Sequence, residues 1–476
     1  MVLASCRQGD DLVATSKVPD SGSPPVEDAI APRADVSIER DAPLTIDSEA
    51  PRPDVAVDDV VIPPPPVDSR PPPTCEATGP ILAVRRVNGE TGNACAGQLA
   101  AHTFTHALCT CEDLNFAAVL STVSFDSSAA DKSPVSAGAP VGIGGNYPSA
   151  RSNIGGSLTV AGTARTPTVT GGLDVRGDLR LAGRANIYTQ LSVARDTWLV
   201  SNVGYWGIVT IGGNLYTGSA GSLIGIGPPP FISGAQIPTA FTVGDPCACD
   251  QRLDVAMMET LGAEKTDNVA QGIDPSALVN VTGTVNFPVP CGRFRFDSIG
   301  GPGSLQLTIS GRTAIFVDGD VTLSDASQLV VVGPEAELDW FIRGHLSIGG
   351  AKIGDTNRPS ATRIYVASAD EMVLSSGEIS ANIYAPNADV DLPALGVSGS
   401  IYGKNLTMLG GGLVRYDRAI LNAGNKCGQP ATCDKCNTCN GGAACKEGTC
   451  RPCDSDDDCC APLVCQANAC RPLLFP

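Results

Sequence analysis

The residues of this 476-residue chain that could do chemistry are few: three histidines, nineteen cysteines and some paired aspartates. His102, His106, Cys109 and Cys111 fall close together, and two histidines four apart can share one side of a helix, so the group has the makings of a metal site. Cys433, Cys436 and Cys439, each two residues from the next, also have zinc-ligand spacing. Against zinc stand the adjacent Cys459 and Cys460, with Cys453, Cys465 and Cys470 around them. The expectation is disulfides in the tail and incidental histidines beside a disulfide-linked cap. Asp318 with Asp320, and Asp389 with Asp391, are two residues apart and would point the same way on a strand. Such carboxylates are what a polysaccharide-cleaving enzyme needs, but a solvated strand face explains them equally. No Gly-x-Ser-x-Gly elbow or His-Glu-x-x-His helix is present. Gly142-Ile143-Gly144-Gly145 lacks the Gly-Lys-Ser/Thr ending of a phosphate loop. Arg176-Gly177-Asp178 spells an adhesion tripeptide inside a repeat that already explains its glycine. No catalytic residue, cofactor or metal ligand is assigned.

A repeat would have to position these groups. Gly156-Ser157-Leu158-Thr159-Val160, Gly177-Asp178-Leu179-Arg180-Leu181, Gly213-Asn214-Leu215-Tyr216, Gly319-Asp320-Val321-Thr322-Leu323 and Gly344-His345-Leu346-Ser347-Ile348 share one pattern: a glycine, a polar or small residue, then alternating apolar residues. The alternation is a half-buried strand and the glycines mark tight corners. Such short strands bury their apolar side only when coils stack. Aromatics are 5% of the chain and Gly numbers 53, which suits thin aliphatic layers better than the longer hairpins of a sandwich. The fold expected is mainly β: a right-handed, single-stranded β-solenoid over 75–421. An insertion at about 228–290 interrupts it. Within the insertion, Asp250 to Lys265 carries Leu253, Ala256, Met257 and Leu261 at helical spacing, which predicts an amphipathic helix on the solenoid flank, pinned by Cys247, Cys249 and Cys291.

Residues 7–74 are rich in Pro and Asp, without hydrophobic period, and are expected to form an extended, disordered stalk. Before them, Leu3-Ala4-Ser5-Cys6 resembles a bacterial lipobox, in which the cysteine is lipidated. The apolar segment that should precede a lipobox is missing, so 1–6 reads as the remnant of a signal whose true start lies upstream. Residues 422–476 hold Cys427, Cys433, Cys436, Cys439, Cys445, Cys450, Cys453, Cys459, Cys460, Cys465 and Cys470 among few apolar residues, the mark of a disulfide-stapled module. The body holds Cys75, Cys95, Cys109, Cys111, Cys247, Cys249 and Cys291. Both groups are odd in number and their sum is even. Complete oxidation with Cys6 lipidated therefore requires a disulfide between body and tail, which would fix the tail against the solenoid end.

This cysteine load implies an oxidising compartment. The net charge of -18 argues against nucleic acid, whose binding relies on Lys and Arg. No apolar run of about 18 residues suggests a membrane span, so contact with a membrane is expected only through a lipid anchor.

The stretch from Gly377 to Val390, with Ile383-Tyr384-Ala385-Pro386-Asn387-Ala388 at its centre, then Gly399-Ser400-Ile401-Tyr402-Gly403-Lys404 and Tyr416-Asp417, resembles the β-solenoid domain of PilX-like pilus proteins and of choice-of-anchor-A and collagen-binding-like surface proteins. Val141 to Tyr147 is similar to the opening of the same group. The resemblance covers Val141 to Leu421. Lipobox, stalk and tail together resemble myxobacterial surface lipoproteins, and the tail resembles Dickkopf and cystine-knot modules. The resemblance implies surface display and a non-catalytic role in adhesion, matrix binding or envelope scaffolding. Its partner would be a surface glycan, a matrix component or an envelope protein, and its location extracytoplasmic, anchored at the outer membrane. Two alternatives stand beside it: a secreted β-helix enzyme acting on polysaccharide, and a bactofilin-like scaffold, which leaves the cysteines unexplained.

Overall fold

The computed structural model describes residues 80–423 apart from 117–118, 149–150, 166–171, 376, 393–395 and 409, together with four tail strands, Ala444–Lys446, Thr449–Arg451, Leu463–Gln466 and Ala469–Pro472. The lipobox, the stalk, Cys6, Cys75, Cys427, Cys433, Cys436, Cys439, Cys453, Cys459 and Cys460 lie outside the described residues.

The body is a β-solenoid of about 12 turns. Each regular coil contributes one short strand to each of three parallel faces. In one coil these are Gly172–Val175, Leu179–Leu181 and Ala185–Ile187, and in the next Gln190–Val193, Thr197–Leu199 and Val203–Tyr205. The strands pair in register from coil to coil. Alternate side chains point inward and stack in files. Ile154, Val175, Val193 and Ile211 form one inside the first face, and Val160, Leu181 and Leu199 one inside the second. All are buried, and each buried aliphatic side chain contributes roughly 1.5–3 kcal/mol. The alternation in the sequence therefore becomes a continuous aliphatic core.

The polar position of the repeat unit has a job at the corners. On passing from the first face to the second, the Asp178 N–H donates to the Ser157 hydroxyl (3.0 Å), the Asn214 N–H to the Asp196 carboxylate (2.7 Å) and the Ala235 N–H to the Asn214 side-chain oxygen (2.9 Å). Each side chain caps the next coil. Backbone donors that a tight corner leaves without a strand partner are thus satisfied.

The coils do not stack in chain order. Gly412–Asp417, the last strand of the body, pairs along the first face with Val119–Phe125, one of its earliest. On the second face Ile401, Tyr402 and Gly403 pair with Leu108, Cys109 and Thr110. The stack thus begins near Thr284, runs to Asp417, continues from Leu108 and ends at Pro238. The coil at which the described body ends, Gly412–Asp417, therefore lies in mid-stack. The strands Phe231–Ile232 and Gln236–Pro238 still belong to the solenoid. Residues 239–283 then return to the opposite end as a strap. Extended backbone, at about 3.3 Å per residue, is long enough to climb back past coils spaced about 4.8 Å apart.

Within the strap, Val255–Ala263 is helical, capped by the Asp254 carboxylate accepting from the Met257 N–H. The helix packs on the strands Arg312–Val317, Glu337–Ile342 and Thr362–Val366. Its inward residues are Val255, Met258, Glu259 and Gly262. The expected face, with Ala256 and Met257, is rotated by about a residue, and Met257 is exposed. The reason is close approach: a Cβ on Gly262 would lie 2.0 Å from the Phe316 ring, so only glycine lets the helix settle there. Beside it, the hairpin of Ile81–Arg85 with Thr91–Cys95 and the helix Ala96–Thr103 complete the cover. Among the described residues no helix is long and apolar enough to cross a membrane.

Candidate functional site

The second face carries one outward file along the whole stack. By register it reads Arg295, Phe316, Phe341, Tyr365, Tyr384, Tyr402, Cys109, Gly142, Thr159, Arg180, Trp198, Tyr216 and Ile237. Strand spacing places successive rings at stacking distance. Phe341 and Tyr365 stack at 4.7 Å and 5°, and Trp198 and Tyr216 at 4.9 Å and 7°.

The first half of this file is covered. The rings from Phe316 to Tyr402 are buried beneath the strap, the helix Val255–Ala263 and Phe104, whose ring lies 5.7 Å from that of Tyr365. Two hydroxyls hold the cover: Tyr384 accepts from the Leu253 N–H (2.9 Å), and Tyr402 donates to the Cys247 carbonyl. Burial pushes both phenols far up, so they stay neutral and able to donate. The Tyr365 hydroxyl is buried without a hydrogen-bond partner.

Beside the rings runs a buried polar file. Arg363 makes a two-pronged ion pair with Asp339 (2.7 Å twice) and reaches Glu337 at 2.8 Å. Burial pushes the Glu337 carboxyl up, but Arg363 and then Arg312 outweigh it, and the net shift is downward. Asp417, also buried, accepts from the Ser127 hydroxyl (2.6 Å) and from the backbone N–H groups of Ser127, Ser360 and Ala419. A cleft of about 750 Å³ opens above these groups, lined among others by Lys132, Arg312, Glu337, Arg358 and Ser360. Its two arginines are already engaged: Arg358 donates to the carbonyls of Gly333 and Ala336, and Arg312 pairs with Glu335 and Glu337.

The cover ends at two neighbouring disulfides, Cys109–Cys247 and Cys111–Cys249. Pro246 crosses the file at Gly142, where a Cβ would lie 2.9 Å from the proline. The four residues that had the makings of a metal site are not assembled into one: Cys109 and Cys111 are bonded to sulfur. His102 lies on the last turn of its helix with Nδ1 2.7 Å from the Gln98 carbonyl, and His106 Nδ1 lies 2.9 Å from the Thr105 hydroxyl. No group of three or more His, Cys, Asp or Glu placed to hold a metal occurs among the described residues. Cys95 and Cys291 are also disulfide-bonded. In the tail hairpins the backbone register sets Cys445 opposite Cys450 and Cys465 opposite Cys470.

Beyond Gly142 the file is open. The Arg180 guanidinium sits 4.7 Å above the Trp198 ring, with its side chain 44% exposed, and Trp198 and Tyr216 are half-buried. Arg180 and Arg195 lie 3.6 Å from Asp178, at the corner. A cation, an indole and a phenol are thus held in line on a rigid face, with their edges toward solvent. Sequence reasoning missed this site. Its signal was the residue after the leucine in successive units, Arg180 and Tyr216.

The paired aspartates fall elsewhere. Asp318 and Asp320 lie at a corner rather than on a strand. Asp320 accepts from the His345 N–H (2.8 Å), the same capping role as Asp196. Asp318 pairs with Arg343 (3.1 Å) and Arg295 (3.5 Å). Near them, on the covering helix, Glu259 is buried, and burial, then the charge of Asp318, raises its pKa. Asp389 and Asp391 do share one side of a strand, flanking buried Val390. Asp389 accepts from the Asn405 side chain (2.8 Å), with Lys404 at 3.8 Å. Arg176 pairs with Asp174 (3.1 Å), and Asp178 serves the corner, so the Arg-Gly-Asp tripeptide is absorbed by the repeat.

No curated protein and no solved structure matches this chain. Residues 261–423, from the covering helix to the last coil, match the family described as Domain of unknown function (DUF7305); the match takes in the covered half of the file and stops short of the open one.

Proposed function

We propose that this chain is a non-catalytic binding scaffold of the bacterial cell surface, serving adhesion, matrix binding or envelope scaffolding. The open file of Arg180, Trp198 and Tyr216 carries the reading. Preorganised aromatic and arginine side chains on a rigid element are the groups that dominate binding energy where surfaces meet. The disulfides agree with an extracytoplasmic place, and anchoring through a lipid on Cys6 would present the body outward. The resemblance of residues 377–417 to PilX-like and choice-of-anchor-A surface proteins supports the same reading. The test is protease shaving of intact producing cells, followed by adhesion of the purified chain to isolated envelopes and to a glycan array. Expected are released solenoid peptides and binding that Trp198→Ala lowers at least tenfold. Protection until lysis, or binding indifferent to Trp198, would overturn it.

A second reading, an enzyme acting on polysaccharide, is favoured by Glu259 and Asp318: a buried carboxyl with raised pKa whose charge neighbour is a second, arginine-paired carboxyl has the makings of the two-carboxyl arrangement of sugar hydrolysis. None of the clefts lined by Phe316, by Glu337 or by His102 includes Asp318. Release of reducing ends from envelope polysaccharide, abolished in Glu259→Gln, would favour this reading over the first.

A further inference from the structure

The two ends of the stack differ. At the beginning, the short helix Asn268–Gln271 and the turns after it close the edge, with Leu278 and Val281 buried. Charged side chains surround it: Arg293 donates its N–H to Asp267, and Arg295 lies by Asp297 and Asp318. At the other end, no Asp, Glu, Lys, Arg or His occurs from Thr197 through Gly244, in a chain of net charge -18. Those residues build the last coils. On them Trp206 (45% exposed), Ile208 (58%), Ile224 (57%), Ile226 (87%) and Phe231 (63%) stand in solvent. Register makes them one patch: Ile224 is opposite Gly204, Phe231 opposite Thr210, and the Ile226 N–H donates to the Tyr205 carbonyl beside Trp206. Exposed apolar surface of this kind marks a place of association.

We infer that the charge-free end is where two copies of this chain meet. Acidic molecules repel one another across most approaches, and this end brings together no like charges. Prolines at 228–230 and 238 remove donors from the edge, so the joint packs side chains instead of extending the ladder. The opposite end is closed and charged. The contact is therefore the same surface on both copies and stops at a pair. The joint would form whatever the open file binds.

Sedimentation equilibrium of the full oxidised chain tests this. Expected is a reversible monomer–dimer equilibrium without larger species, weakened at least tenfold in both Ile226→Asp and Phe231→Glu, with circular dichroism and melting temperature unchanged. A monomer at every concentration, a dimer indifferent to both charges, or open-ended polymers would overturn it. Flotation with phosphatidylcholine vesicles supplies the remaining arm: vesicle binding that Ile226→Asp abolishes would assign the patch to a lipid surface and overturn the pairing.

Discussion

Along a single face, one file of side chains passes from burial to exposure. From Phe316 to Tyr402 its rings are sealed under a helix, a strap and a hairpin; from Arg180 to Tyr216 the same positions meet water. The backbone is the same parallel ladder in both. The difference lies in what each half asks of its surroundings. In the covered half the outward positions are Phe, Tyr and an ion-paired arginine, which need burial or partners. From Thr159 to Tyr216 they are Thr, Arg, Trp and Tyr, with polar edges that water can satisfy. A cover is therefore a property of side chains added to a regular stack, and its limit is set where the two disulfides hold the strap down.

The largest effect on this contrast should come from releasing the strap. Cys109–Cys247 and Cys111–Cys249 each close a loop of sequence separation 138, worth about 5 kcal/mol in chain entropy. The loops nearly coincide, so the second bond adds little. Chemical denaturation should show that Cys247→Ser with Cys249→Ser costs about 5 kcal/mol, and Cys249→Ser alone only about 1. Equal and additive single losses would mean that the strap is held elsewhere. Next comes the buried ion pair. Arg363→Met strands Asp339 and should cost about 3–5 kcal/mol, whereas Arg180→Met, in the open half, should cost about 1 or less. Similar losses would erase the distinction between the halves.

Acid should act on the cover. Burial lowers the pKa of His106 from 6.5 to about 4, so the unfolded chain binds a proton that the fold refuses. Stability from this group is complete above pH 6.5 and is lost as pH falls toward 4. The melting temperature of His106→Leu relative to the native chain should rise across that window; parallel profiles would show that His106 is solvated. The smallest effect is expected at Tyr365, whose hydroxyl is buried and unpartnered. Tyr365→Phe should leave stability unchanged or raise it by about 1 kcal/mol, and a loss would reveal a partner for that hydroxyl.

Much of the coil was legible, because alternation at Leu158, Val160, Leu179 and Leu181 and glycine corners have only one economical solution. The helix near Asp250 was legible from its spacing, though its face was not, since Gly262 packs inward for steric reasons that hydrophobicity does not register. The candidate site was hidden for a related reason. Arg180, Trp198 and Tyr216 are unremarkable one by one, and only coil-to-coil register places them in line. Asp320 misled in the opposite direction: its carboxylate is a corner cap, a role that chemistry-minded spacing rules do not anticipate. The stacking order left no local trace, because a coil edge accepts any neighbour of matching alternation, whichever part of the chain supplies it.

That order also governs time. A ribosome delivers the coil at Leu108 long before the coil at Ile401 on which it rests. Until the chain is made as far as Asp417, the strand Val119–Phe125 has only one of its two neighbours. The body cannot close behind the emerging chain as an ordinary solenoid would; its middle is the last part to become whole. Pairings so distant in sequence are slow to form and leave edges open while they wait. A truncation a few coils short of the end would therefore injure the centre of the molecule, not its tip.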